Sequence, residues 1–168
     1  MKHFISRRNF LKAAGVTAAA SAMAAAVPQA SACFLTGKDA AVTILYTNDV
    51  HTYIDNKSPK LTYAAIAAMK QGYVDEGKPV LLVDAGDHIQ GTAYGSMDDG
   101  ATIIELMNEA GYDIATLGNH EFDYGMARAK AIIKEADFPY VSCNWVDLRT
   151  GLRVLPAVKL FPAGGKWI

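Results

Sequence analysis

Four short runs of Val, Ile, Leu and aromatic residues, set between stretches of helical periodicity, constrain this 168-residue chain more than any other feature. They cover residues 41–46, 79–83, 113–117 and 140–143. Apolar runs this short and this rich in β-branched residues read as buried strands, because helices generally need about 10–12 residues or more. Between them, Leu61, Ala65, Ile66, Met69 and Tyr73 form one stripe of a helix over 61–73, with Gly77 and Pro79 as punctuation. Ile103, Ile104, Met107 and Ala110 lie on the inward side of a helix over 101–110 that Gly111 closes, and Met126, Ala129, Ile132, Ile133 and Ala136 mark a third. Alternating strands and helices argue for an α/β layered sheet with crossovers of the usual hand. Within the fourth run Cys143 is expected as a small buried residue. Residues 145–168 read as two short strands around the turn Arg149-Thr150-Gly151, with a further strand beginning at Lys166-Trp167-Ile168.

The first 32 residues are an address rather than part of the fold. Ser6-Arg7-Arg8-Asn9-Phe10-Leu11-Lys12 matches the twin-arginine export signal, with Arg7 and Arg8 as its arginine pair. An Ala-rich stretch follows, Pro28 breaks it, and Ala30-Ser31-Ala32 supplies the small residues of a signal peptidase site. The Ala-rich stretch is shorter than the roughly 20 apolar residues of a membrane span. The chain therefore divides into a signal peptide at 1–32, a linker at 33–40 and a folded part at 41–168. The export machinery is the expected partner and the periplasm the expected destination. Two products stay open: a soluble protein, or one lipid-anchored at Cys33, although Ala30 stands where lipoprotein signals usually carry leucine.

Charge narrows the function classes. Setting aside the four basic residues of the leader leaves 12 basic against 17 acidic residues, a net of −5. A body of that sign has no electrostatic reason to bind duplex nucleic acid. An anionic substrate remains compatible with it, provided local cations reverse the field at the site.

Each of the first three strands ends in a polar cluster: Asn48-Asp49-Val50-His51, Asp84-Ala85-Gly86-Asp87-His88, and Gly118-Asn119-His120-Glu121 followed by Asp123. Three of the four histidines fall there, at the strand ends where open α/β sheets bind ligands. Asp49 and His51 offer one cation a carboxylate and an imidazole, a mixed set that suits Zn²⁺, Mn²⁺ or Fe. Gly86 is expected to let the backbone at Asp87 come close to a metal, and the Asp87 carboxylate has two oxygens with which to bridge two cations. Asn119 adds a neutral oxygen. An acid three residues from an imidazole can accept its ring N–H, so Asp123 is read as orienting His120, with capping of the next helix as its alternative role. His88 is expected at a loop or substrate rim, Asp84 as a strand-end hydrogen bonder, and Glu121 has no assigned role.

Asp49-x-His51, Gly86-Asp87 and Gly118-Asn119-His120-Glu121 resemble the successive motifs of calcineurin-like metallophosphoesterases. The longer strings around them, above all Leu117-Gly118-Asn119-His120-Glu121-Phe122-Asp123-Tyr124-Gly125, are similar to the branch of 5′-nucleotidases and UDP-sugar hydrolases. The resemblance implies a layered metallophosphoesterase sandwich, of which 41–168 is the N-terminal part. It implies two divalent ions, with Asp49, His51 and Asp87 on the first and Asp87 bridging to a second that Asn119 also holds. His120, oriented by Asp123, would contact the phosphoryl group. The implied reaction is in-line hydrolysis of nucleoside 5′-monophosphates, with nucleotide sugars or cyclic nucleotides as related substrates. The family draws further metal ligands from a later stretch, a histidine and a Gly-His-x-His or similar motif, yet no histidine follows His120. The expectation is a truncated chain with little or no phosphatase activity. Two rivals stand beside it: a sulfur-ester hydrolase of the same superfamily, and a non-catalytic remnant.

Overall fold

The structure, a computed structural model, describes residues 41–53 and 62–168. Arg7, Arg8, Cys33 and Leu61 therefore lie outside the described residues.

Three parallel strands, β1 (Thr43–Thr47), β2 (Val80–Asp84) and β3 (Ile114–Ala115), form a sheet in that order. As the middle strand, β2 buries Val80, Leu81 and Leu82 in succession. That is how a parallel strand covered on both faces should read, as a continuous apolar run rather than an alternation. Along β1 burial alternates instead, leaving Ile44 and Tyr46 exposed. The register pairs Thr47 with Asp84 and Asp84 with Ala115, so the carboxyl ends of the strands are level. Pairing continues past them, Ala85 N–H donating to the Thr47 carbonyl and Thr116 N–H to that of Asp84. The three polar clusters consequently leave the sheet side by side.

The expected fourth strand contracts to a single parallel bridge between Tyr140 and Ala115. Ser142 N–H then turns away to the Pro156 carbonyl, and Cys143 is exposed, against the expectation of burial. Its apolar neighbours Tyr140 and Val141 suggested a longer strand than the chain keeps.

Among the described residues the α-helices are α1 (Tyr63–Asp75), α2 (Ala93–Ser96), α3 (Ala101–Ala110) and α4 (Met126–Glu135), and His120–Phe122 forms a 3-10 turn. Thr62 caps α1 by accepting Ala65 N–H, one of the orphan donors of a helix start. On α3 the stripe is as read: Ile103, Ile104, Met107 and Ala110 are buried, and Gly111 closes the helix in a left-handed conformation. They pack with Leu82, Ile89, Ile132, Phe138 and Tyr140 in one core. On α4, Ala129 and Ile132 are buried, whereas Met126 lies exposed at the first turn. On α1, Ile66 is buried but Met69 is 44% exposed, and Lys70 takes the inward place. The physical reason is electrostatic. Lys70 Nζ donates to the Gly111 carbonyl and to Asp113 Oδ2 at 2.7 Å, so a charged residue is held where an apolar one was expected.

The last part of the chain is loosely built. Val146 bridges Arg153 antiparallel around the 149–151 turn, and β4 (Pro162–Ala163) pairs β5 (Lys166–Trp167) across Gly164-Gly165. Trp145 meets Phe122 edge to face with ring centroids 5.2 Å apart, tying this segment to the site.

Candidate metal centre

The loop after β1 carries Asp49 and His51, and its backbone is held against the loop after β2: Asp49 N–H donates to the Gly86 carbonyl and His51 N–H to that of Asp87. Of the five non-glycine residues with positive φ among those described, four are here: Asp49, His51, Thr52 and Asp87. Left-handed backbone at a β-branched residue such as Thr52 is rare, and such conformations cost about 1–3 kcal/mol each unless the surroundings fix them. Thr52 is fixed. It is fully buried, its Oγ1 accepts Thr92 N–H at 2.6 Å, and its carbonyl accepts the Thr92 hydroxyl at 3.0 Å. Gly91 makes that approach feasible, since a Cβ there would strike the His51 carbonyl.

Three donor side chains converge from the three loops. Ligand atoms of His51, Asp87 and His120 all lie within 4.8 Å of one another, of the order of the separation across one cation with ligands at about 2.0–2.2 Å. The His51 and His120 rings meet edge to face at 5.0 Å. His51 Nδ1 lies 3.1 Å from the Gln90 carbonyl, an acceptor, so Nδ1 carries the proton and Nε2 presents its lone pair. His120 is arranged alike, its Nδ1 donating to Asp123 Oδ2 at 2.7 Å. That hydrogen bond is the largest influence raising the His120 pKa above the ordinary histidine value, with the charges of Asp123, Asp87 and Glu121 adding to it. Helix α4 starts instead from Gly125, without a side-chain cap. Asp123 thus holds the imidazole.

Of the other expected ligands, Asp49 is exposed, with Oδ1 3.6 Å from His51 Nε2 and its second oxygen on the Asn48 amide. It stands beside the three-residue cluster rather than in it. Asn119 is exposed on the loop between Gly118 and His120, and its carbonyl accepts Phe122 N–H. At φ +104°, a Cβ on Gly86 would run into the Gly118 backbone, so the glycine lets the loops after β2 and β3 come together.

His88 corrects the reading of a rim residue. It is fully buried, with Nδ1 2.7 Å from Asp84 Oδ1 and Nε2 2.8 Å from the Tyr140 hydroxyl. Burial opposes its charged form, but the Asp84 hydrogen bond and the charges of Glu121, Asp84 and Asp87 outweigh that and raise its pKa. Asp84 also accepts Gly86 N–H and the Thr47 hydroxyl. Beneath the cluster therefore lies a satisfied polar layer, which joins the near neighbours Asp84 and His88 to Thr47 and Tyr140, far away in sequence. Glu121, without a sequence-based role, belongs to this layer.

Five carboxylates, of Asp49, Asp84, Asp87, Glu121 and Asp123, surround three imidazoles at these strand ends. An anionic substrate cannot approach such a group unless cations offset it, and two imidazoles with a carboxylate are a donor set that fits a divalent transition metal.

Comparison with known proteins identifies the family. The calcineurin-like phosphoesterase model matches residues 42–166, and the chain belongs to that family, whose members use divalent metals. Residues 5–27 match the twin-arginine translocation signal model, which marks the chain for export. A snake venom 5′-nucleotidase of Gloydius brevicauda is 40% identical over 114 residues, covering 61% of this chain and 19% of that protein. A 5′-nucleotidase precursor from Thermus thermophilus superposes with a TM-score of 0.65 at 29% identity, over 75% of this chain and 27% of that one. A sulfate thiohydrolase from the same organism gives 0.58 at 23% identity, over 62% and 19%, a likeness of fold alone. The chain spans about a fifth of the length of the curated relatives it matches.

Proposed function

We propose that this chain supplies the metal-binding part of an exported hydrolase that releases phosphate from nucleoside 5′-monophosphates with the help of two divalent ions, Zn²⁺, Mn²⁺ or similar. The observation that carries the proposal is the convergence of His51, Asp87 and His120 from three adjacent strand ends, in a chain matched over 42–166 by a phosphoesterase family. The identity to 5′-nucleotidases supports the substrate class, and nucleotide sugars and cyclic nucleotides extend it. In this reading Asp49, His51 and Asp87 would hold one ion, and Asp87 and Asn119 would serve the second. Two cations in such a site lower the pKa of water and offset charge building on phosphorus.

The chain's own residues supply orientation and charge. His51 would offer Nε2 to an ion, because the Gln90 carbonyl engages Nδ1. His120, held at Nδ1 by Asp123, is left with Nε2 free to face a phosphoryl oxygen. Residues 1–32 direct the chain to the periplasm, residues 33–40 link it to the fold, and Ala30 favours a soluble product over a lipid anchor at Cys33. The ligands gathered here are fewer than the family draws on, so the 168 residues by themselves turn over AMP slowly or not at all.

The test is to titrate the purified chain with Mn²⁺ by calorimetry and then assay phosphate release from AMP beside sulfate release from a sulfur ester. The expected result is Mn²⁺ binding that Asp87→Ala weakens by at least about 100-fold, given that lesser changes around metal ligands cost about 10–100-fold, with phosphate release near background. Failure to bind Mn²⁺ would sink the metal-centre reading. Rapid AMP turnover would overturn the claim that more ligands are needed, and sulfate release would move the protein to the thiohydrolase class.

A further inference from the structure

Glu121 is fully buried, and nothing in the proposed reaction uses it. Its carboxylate accepts four backbone N–H groups. Oε2 takes those of Asp87 at 2.9 Å and Gly118 at 2.6 Å; Oε1 takes those of His88 at 2.9 Å and Ile89 at 3.4 Å. Three of these donors lie on the loop after β2 and one on the loop after β3. The Asp87 side chain closes the link from the other side, its Oδ1 accepting His120 N–H at 2.8 Å. Space at the junction is filled, because a Cβ on Gly118 would strike the Asp87 carboxylate.

A carboxylate is suited to this. It is acceptor-only on both oxygens, whereas a glutamine of the same shape must turn its NH₂ toward one set of N–H groups. Each donor left facing that NH₂ loses its partner, at His88 and Ile89 in a fully buried place. The left-handed backbone of Asp87, φ 58°, is thereby held from its own N–H and from the N–H after it.

We propose that Glu121 is a positioning residue of the metal centre: its carboxylate clamps the two loops so that the Asp87 carboxylate faces His51 and His120. The inference rests on the metal-centre reading above. It differs from a merely structural role in what it predicts for the metal, since loss of the clamp should release Asp87 even where the fold survives.

The experiment compares Mn²⁺ affinity of the unmutated chain, Glu121→Gln and Met107→Ala, with thermal melting followed in parallel. Met107 is fully buried in α3 and is not part of the cluster, so its variant is destabilised by a cavity alone. The expected result is Mn²⁺ binding weakened about 10–100-fold in Glu121→Gln and unchanged in Met107→Ala at a comparable loss of Tm. Equal Mn²⁺ affinity in Glu121→Gln and the unmutated chain would overturn the clamp and leave the metal centre standing, as would equal weakening in Met107→Ala. No Mn²⁺ binding by the unmutated chain would remove both. If Glu121→Gln does not fold, amide hydrogen exchange in the unmutated chain decides. Protected N–H groups at Asp87, His88 and Gly118 support the clamp, and exchange at open-loop rates refutes it.

Discussion

Replacing Lys70 by methionine tests how α1 is fastened to the sheet. Lys70 Nζ reaches Asp113 Oδ2 at 2.7 Å and the Gly111 carbonyl, and the same Asp113 oxygen accepts Leu82 N–H at 2.7 Å. Each side chain of the pair is 11% exposed. Breaking a buried ion pair from one side costs about 3–5 kcal/mol, because the other charge stays uncompensated. The residual water contact at both groups lowers this to roughly 2–4 kcal/mol. Asp113→Asn keeps an acceptor for Leu82 N–H but strands the ammonium, at a cost of the same order. The double variant removes both charges and should cost only about 1–2 kcal/mol, so the single costs exceed it by a coupling of about 3–6 kcal/mol in a double-mutant cycle. Urea unfolding at equilibrium measures all four corners. If the single costs add within about 0.5 kcal/mol, the pair behaves as an exposed one and the account of why Lys70 displaces Met69 fails.

Two further outcomes concern the imidazoles. Because His88 has a raised pKa in the fold, its contribution to stability is fully present below the unfolded value of about 6.5 and is lost as pH rises through the folded one. The urea midpoint in EDTA should therefore decline on the alkaline side of that value and lose this slope in His88→Gln; an unchanged slope in the variant contradicts the buried pair with Asp84. For His120, Asp123→Asn removes the chief cause of its raised pKa, so proton NMR of the ring should titrate at lower pH than in the unmutated chain. An unmoved titration would remove Asp123 from its orienting role.

Much of this organisation was legible because periodicity and strand-end chemistry are local. The stripe of α3 and the buried run of β2 need no knowledge of partners. What was hidden depends on residues far along the chain. Lys70 is buried because Asp113, 43 residues later, meets it. His88 is interior because Tyr140, 52 residues later, receives its Nε2. Glu121 lies in a single 3-10 turn, His120–Phe122, too short for a period to separate inside from outside; its one local hint is its place between His120 and the apolar Phe122. Thr52, beside the motif at Asp49 and His51, reads as an ordinary loop threonine until Thr92 is folded against it. Cys143 failed the other way, since an apolar neighbourhood in sequence does not ensure a covered one when the strand pairs at a single residue.

The central claim, that three strand ends build one cation site, is tested most directly by anomalous diffraction from crystals of the chain grown with Mn²⁺. The account predicts a manganese peak within coordination distance of His51 Nε2 and an Asp87 carboxylate oxygen, with the His120 ring beside it. A peak bound elsewhere, or none at saturating Mn²⁺, would contradict it.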